Sequence, residues 1–87
     1  MSPPTPPVVT LLTRPGCHLC EAAREAVGRV TAAVGLGWEE LDVAADPELA
    51  RRHAEEIPVV LVDGVPRDFW RIDEGRLARL LRERLAG

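Results

Sequence analysis

The stretch that decides the fold reads Val8-Val9-Thr10-Leu11-Leu12-Thr13-Arg14-Pro15-Gly16-Cys17-His18-Leu19-Cys20. Val8 to Leu12 is a β-branched and apolar run bounded by Pro7 and by Arg14-Pro15-Gly16, which predicts a short buried strand. Pro15 and Gly16 turn the chain. Beyond them Leu19, Ala23, Ala26 or Val27, Val30 and Val34 recur at steps of three and four, the apolar stripe of one helix. Gly35 and Gly37 end that helix. Trp38 to Val43 reads as a second strand, with Leu41 and Val43 on one face and Glu40 and Asp42 on the other. Strand, helix and strand within about 36 residues form a βαβ unit, whose strands are expected to be parallel with a right-handed crossover.

The second half extends the pattern. Asp46-Pro47 is a helix start, an acidic cap followed by proline in the first turn, and the helix runs to about His53. Val59 to Val62 is another apolar run, introduced by Ile57-Pro58. Asp63-Gly64 follows directly, and Asp-Gly between apolar runs is a hairpin signal. A fourth strand spans Val65 to about Ile72, and Pro66 confines it to a sheet edge or a bulge. A last helix opens at Asp73 and carries Leu77, Leu80, Leu81 and Leu85 on one face. The order is β-α-β-α-β-β-α: an α/β chain with a four-stranded mixed sheet and three helices. Residues 1–7, with four prolines, form a tail that is expected to be mobile, and residues 8–87 form one domain.

Composition narrows the function. The chain has 87 residues, 46% hydrophobic and 29% charged, which suits a small globular domain and not a disordered one. The net charge is −3, and the basic residues, all arginine, are scattered, which argues against nucleic-acid binding. No stretch approaches the ~20 apolar residues that span a bilayer. The start of the chain lacks a charged region followed by an apolar run, so no signal peptide is read and a cytoplasmic location is expected. In a reducing cytosol two close cysteines point to catalysis or metal binding more than to a structural disulfide.

Cys17 and Cys20 lie where the first strand hands over to the first helix. A cysteine there sees unpaired backbone N–H groups and the positive end of the helix dipole, and both favour the reactive thiolate. Cys20, one turn deeper on the same side, can attack a mixed disulfide formed on Cys17 and release the substrate as a thiol. Cys17 is therefore read as the nucleophile and Cys20 as the resolving thiol. Arg14 and His18 are the candidates to tune the Cys17 thiolate, and Glu21 would oppose them. An intrachain zinc site would need two further ligands, and only His18 and His53 exist, the first strained between the cysteines. No bound metal is expected.

With Thr10 to Cys20, Leu41-Asp42-Val43 and Ile57-Pro58-Val59-Val60-Leu61-Val62-Asp63-Gly64 in this order, the chain resembles the glutaredoxin-like members of the thioredoxin superfamily. It is most similar to the small bacterial type with a Cys-His-Leu-Cys centre. The resemblance covers about Val8 to Leu85. It implies a thioredoxin-like fold, a cis peptide bond before Pro58 facing the cysteines, and an Ile57 backbone that pairs with an extended substrate or glutathione. It also implies a thiol–disulfide oxidoreductase acting on disulfide-containing proteins or small-thiol mixed disulfides. Glutathione or another low-molecular-weight thiol is then a co-substrate, and a reductase or thiol donor supplies electrons. The sequence departs from dithiol glutaredoxins at His18-Leu19, where they usually carry Pro-Tyr. It departs again at Phe69-Trp70-Arg71-Ile72-Asp73-Glu74, where they carry Gly-Gly and Asp against glutathione.

Two other functions use the same residues. One is a metal or iron–sulfur cluster carrier in which two subunits each donate the cysteine pair. The other is a redox-inactive binding module on the same scaffold. Phe69 and Trp70 on the edge strand are read as core residues, with an exposed apolar contact for a partner as the alternative, and His53 is read as an ordinary helix residue.

Overall fold

A computed structural model of the chain describes residues 5–87. Of the tail expected over 1–7, residues 1–4 fall outside that range; Thr5 and Pro6 are exposed and Pro7 is buried. The elements are β1 (Val9–Thr13), α1 (His18–Ala33), β2 (Glu39–Asp42), α2 (Pro47–His53), β3 (Val59–Val62), β4 (Val65–Phe69) and α3 (Glu74–Ala86), with one 3-10 turn at Val43–Ala45. The four strands form one mixed sheet in the order β2-β1-β3-β4. β1 runs parallel to β2 and antiparallel to β3, and β4 closes the sheet antiparallel to β3.

The central strands are covered on both faces, which is why they read as continuous apolar runs. Successive side chains of β1 and β3 alternate between the faces. Val9, Leu11, Val60 and Val62 turn to one side and pack with Ala23, Val27 and Val30 of α1 and Leu77 and Leu81 of α3. Leu12 and Val59 turn to the other side and pack with Cys20, Val43 and Ile57. The second, smaller cluster is the floor of the cysteine pair.

Local chemistry ends each element. Asp46 Oδ1 accepts from the backbone N–H of Glu48 (3.0 Å) and of Leu49 (3.3 Å), with Pro47 at the first turn of α2. Asp73 Oδ1 accepts from Arg76 N at 3.0 Å and caps α3. At the end of α1, Gly35 adopts φ +75°, and Leu36 N donates to Thr31 O at 2.8 Å while Gly35 N donates to Ala32 O at 3.2 Å. This is the paired carbonyl cap that a left-handed glycine permits. Asp63 (φ 53°) and Gly64 (φ 80°) form the turn between β3 and β4, both left-handed as the two-residue hairpin requires. Asp63 is fixed further by accepting from Val8 N (3.0 Å) and Arg84 Nε (2.8 Å). Pro66 lies on the edge strand, at the register shift opposite Val60 and Leu61, where its missing N–H is not needed.

Several expectations differ from the structure. β1 begins at Val9, and Val8, read as the start of the buried run, is exposed. β2 is shorter than Trp38–Val43, and all four of its residues are exposed because it is the other edge. Leu41 is consequently open to solvent, and Val43 reaches the core from the 3-10 turn that follows. The fourth strand stops at Phe69 rather than Ile72, because Trp70 takes φ +63° and leaves the extended region. Phe69 and Trp70 are about half exposed instead of joining the core. His53 is a helix residue as expected, the last of α2, buried and with Nδ1 3.3 Å from Glu56 Oε2.

β2 is held to its neighbours by side chains as well as by the ladder. The Glu40 carboxylate accepts from Arg24 Nε at 2.8 Å and from the Thr13 hydroxyl at 2.9 Å. The bond from Arg24 holds this carboxyl below its ordinary 4.5, the Thr13 hydroxyl acts the same way, and partial burial opposes them. A carboxylate depressed in the folded state stabilises it above the unfolded pKa, and that contribution is lost as pH falls through the folded value. Part of the stability lost on acidification below about pH 4.5 is therefore expected to vanish in Glu40→Gln. Denaturant unfolding of both proteins near neutrality and near pH 3.5 checks this; equal acid losses would contradict it.

Candidate active site

Cys17 occupies the N-cap of α1, with extended backbone (φ −87°, ψ 112°) and no side-chain oxygen accepting from the first turn. Helix starts commonly carry Ser, Thr, Asp or Asn at this place, to accept from N–H groups that the helix leaves unpaired. Here a sulfur stands in that position. The N–H groups and the helix dipole favour negative charge on it once it is reduced.

Cys17 and Cys20 are joined as a disulfide with Cα atoms 5.3 Å apart, inside the usual range for such bridges. Their surroundings differ sharply. Cys20 is 0% exposed, packed among Leu12, Val43, Ile57 and Val59, whereas Cys17 is half-buried at the edge of that cluster. An external disulfide can meet Cys17, while Cys20 is reached only from within.

Ile57 and Pro58 belong to the same floor. The Ile57–Pro58 peptide is cis. Ile57 is 5% exposed and packs with Cys20, and Pro58 is fully buried. The Pro58 carbonyl accepts from Trp70 N at 2.8 Å, and Glu56 N donates to His53 O at 2.9 Å. The backbone N–H and carbonyl of Ile57 have no hydrogen-bond partner among the described residues.

Of the remaining sequence candidates, Arg14 lines the groove beside the pair, and His18, next to Cys17 in the chain, does not. The exposed Arg14 guanidinium reaches from the loop after β1 to the Ala54 carbonyl, Nη1 to O 3.4 Å. His18 is exposed at the first position of α1 and makes no hydrogen bond among the described residues.

Beside the disulfide opens a groove of about 570 Å³, lined by Arg14, Leu19, Ile57, Phe69, Trp70 and Arg71 together with Ala54 and Glu55. Leu19 lies between the two cysteines in sequence and Ile57 packs on Cys20, so the groove adjoins the reactive pair. Leu19 is 38% exposed, drawn out of the helix stripe in which the sequence had placed it.

Sequence reasoning ranked Trp70 as a core residue ahead of a partner contact and did not place it at the site. Its φ of +63° is unusual for a bulky side chain, a strain of about 1–3 kcal/mol that persists only where the surroundings enforce it. Two hydrogen bonds do so: Trp70 N to the Pro58 carbonyl, and indole Nε1 to the Glu55 carbonyl, both 2.8 Å. Trp70 thus ties the end of β4 to both sides of the cis peptide. Its ring meets Phe69 edge to face, with centroids 5.0 Å apart. The available signal was two adjacent large aromatics at the end of a proline-bearing edge strand.

The start of α3 is internally satisfied. The Glu74 carboxylate accepts from Arg29 Nε (3.0 Å) and Nη2 (2.9 Å) and is held below its ordinary value by that pairing. Its charge is therefore matched.

Residues 8–82 match the family model described as Glutaredoxin-like domain (DUF836). An uncharacterized protein of Mycobacterium tuberculosis is 34% identical over 76 residues, which are 82% of this chain and 78% of that protein. A structure from X. campestris superposes with a TM-score of 0.69 at 29% identity, covering 86% of this chain and 96% of the other. A thioredoxin from Halobacterium salinarum superposes with a TM-score of 0.68 at 18% identity, covering 91% and 74%, which speaks to the fold alone. The fold is thioredoxin-like, and with the Cys17/Cys20 pair it supports a redox-type function in general terms. Among the described residues no helix is long and apolar enough to cross a membrane. On the match across most of its length, the chain belongs to the glutaredoxin-like domain family.

Proposed function

We propose that this protein is a thiol–disulfide oxidoreductase that reduces protein disulfides, or mixed disulfides with a low-molecular-weight thiol, through Cys17 and Cys20. The observation that carries the reading is the asymmetry of the pair: Cys17 is accessible at the N-cap of α1 and Cys20 is sealed beneath it.

In the reduced protein the Cys17 thiolate attacks one sulfur of the substrate disulfide. A bond forms between Cys17 and that sulfur, the substrate S–S bond breaks, and the leaving thiolate takes up a proton. Cys20 then loses its proton and attacks the Cys17 sulfur. The Cys17–Cys20 disulfide forms and the second substrate thiol leaves. Two electrons pass from the protein to the substrate, and an external thiol such as glutathione, or a reductase, restores the dithiol. Arg14 adds positive potential near the mouth of the site, with His18 a further contributor when protonated. The unpaired Ile57 backbone gives an extended substrate a main-chain partner. The proposal includes a cytoplasmic location, where thiols are kept reduced.

The test is a single-turnover assay. Protein reduced and freed of reductant is mixed with a small symmetrical disulfide or a glutathione mixed disulfide. Release of two thiols per chain, with the loss of two hydrogens from the protein, is expected. No release above the spontaneous rate would overturn the reading, and a stoichiometric metal ion on anaerobically purified protein would favour the carrier function instead.

A further inference from the structure

The groove beside the cysteines is cationic on a chain whose net charge is −3. Arg24, Arg29, Arg52, Arg76 and Arg84 each hold a carboxylate. Arg14 and Arg71, on the groove wall, hold none among the described residues, as is also true of Arg51, Arg67, Arg79 and Arg82 outside it, and Glu55 is the one carboxylate among the lining side chains. The rest of the wall is apolar, and Leu19, Phe69 and Trp70 are exposed along it at 38%, 47% and 51%. Adjacent exposed apolar surface of this kind marks an interaction site. The strained Trp70 backbone strengthens the case, since two hydrogen bonds hold the ring at the groove instead of letting it fold into the core.

We propose that this groove docks an extended polypeptide segment of the disulfide-bearing substrate, one with an acidic side chain and an apolar side chain beside its cysteine. The carboxylate lies between Arg14 and Arg71, and the apolar side chain against Leu19, Phe69 and Trp70. The open backbone of Ile57 pairs with the main chain of the segment, which a single small thiol would not use fully. The proposal deepens the oxidoreductase reading and rests on it for seating the substrate cysteine at Cys17.

The test separates docking from exchange. Three peptides of equal length carry serine in place of the reactive cysteine, so they can dock but cannot react. One has glutamate and leucine as neighbours, the second lysine and leucine, the third glutamate and serine. Binding to the oxidised protein is followed by tryptophan fluorescence at low salt. The glutamate–leucine peptide is expected to bind about tenfold tighter than either of the others, and its advantage over the lysine peptide is expected to shrink at high salt. Arg71→Glu is expected to reverse the preference between glutamate and lysine. Arg79→Glu, the same charge change on the exposed face of α3 and outside the groove, is expected to preserve it. Affinities within about twofold of one another, or equal shifts in both variants, would overturn the proposal. If preference is absent while thiol release in the single-turnover assay is intact, docking alone fails. If preference is present without thiol release, the oxidoreductase reading alone fails.

Discussion

Cys17→Ser is expected to lower the rate of disulfide reduction by at least about 10³-fold, the scale on which loss of a covalent nucleophile acts. The serine hydroxyl is a poor nucleophile at neutral pH, and the one thiol that remains, Cys20, is buried. Cys20→Ser is expected to behave differently. Cys17 still attacks, one substrate thiol is released, and the protein accumulates as a mixed disulfide with the other half. Turnover then falls to whatever rate an external thiol can resolve that adduct. Mass spectrometry of both variants after exposure to substrate checks the order of events. An adduct on Cys17→Ser, carried by Cys20, would reverse the assigned roles, and full activity in that variant would remove the mechanism.

The largest expected effect on stability is at Leu11. Its side chain is 0% exposed in the central strand, against Val27 and Val30 of α1 and Leu77 and Leu81 of α3. Leu11→Ala removes buried methyl groups and leaves a cavity that the two helices and the sheet close only in part. The expected loss is about 2–5 kcal/mol. An 87-residue domain has on the order of 4–13 kcal/mol in all, so this one change consumes much of the margin. Equilibrium urea unfolding should show a lower midpoint with an unchanged slope. A loss under about 1 kcal/mol would mean that the site collapses around the alanine, and that the two helices are less firmly seated on the sheet than their packing indicates.

The parts of this fold that were legible are those decided by residues close in sequence. The βαβ unit follows from the Val8–Leu12 run and the three-and-four spacing after Cys17. Asp46-Pro47 and Asp63-Gly64 act on their own backbones, and the structure has a capped helix and a hairpin at those places. Pro66 lies on an edge strand because proline could not sit elsewhere in the sheet. The proximity of Ile57-Pro58 to the cysteines came from the family resemblance rather than from local pattern.

What was not legible depends on contacts between distant residues. Alternation at Leu41 and Val43 reads as a half-buried strand, but the faces of an edge strand are covered only where a helix reaches it. None covers Leu41. The Glu74 carboxylate is matched by Arg29, 45 residues away. Trp70 is turned by carbonyls of Pro58 and Glu55, which no periodicity in its own segment foretells. That aromatic, with Arg14 and Arg71, gives the site a groove that the Cys-His-Leu-Cys motif alone did not announce.

The measurement that bears most directly on the central claim is an equilibrium redox titration of the Cys17–Cys20 pair, read by thiol-specific mass labelling across a series of defined thiol buffers. The oxidoreductase reading predicts one reversible two-electron transition between about −120 and −270 mV, the span of known thiol–disulfide oxidoreductases. A pair that stays reduced at every poise, or that once oxidised cannot be reduced by a dithiol, would contradict it.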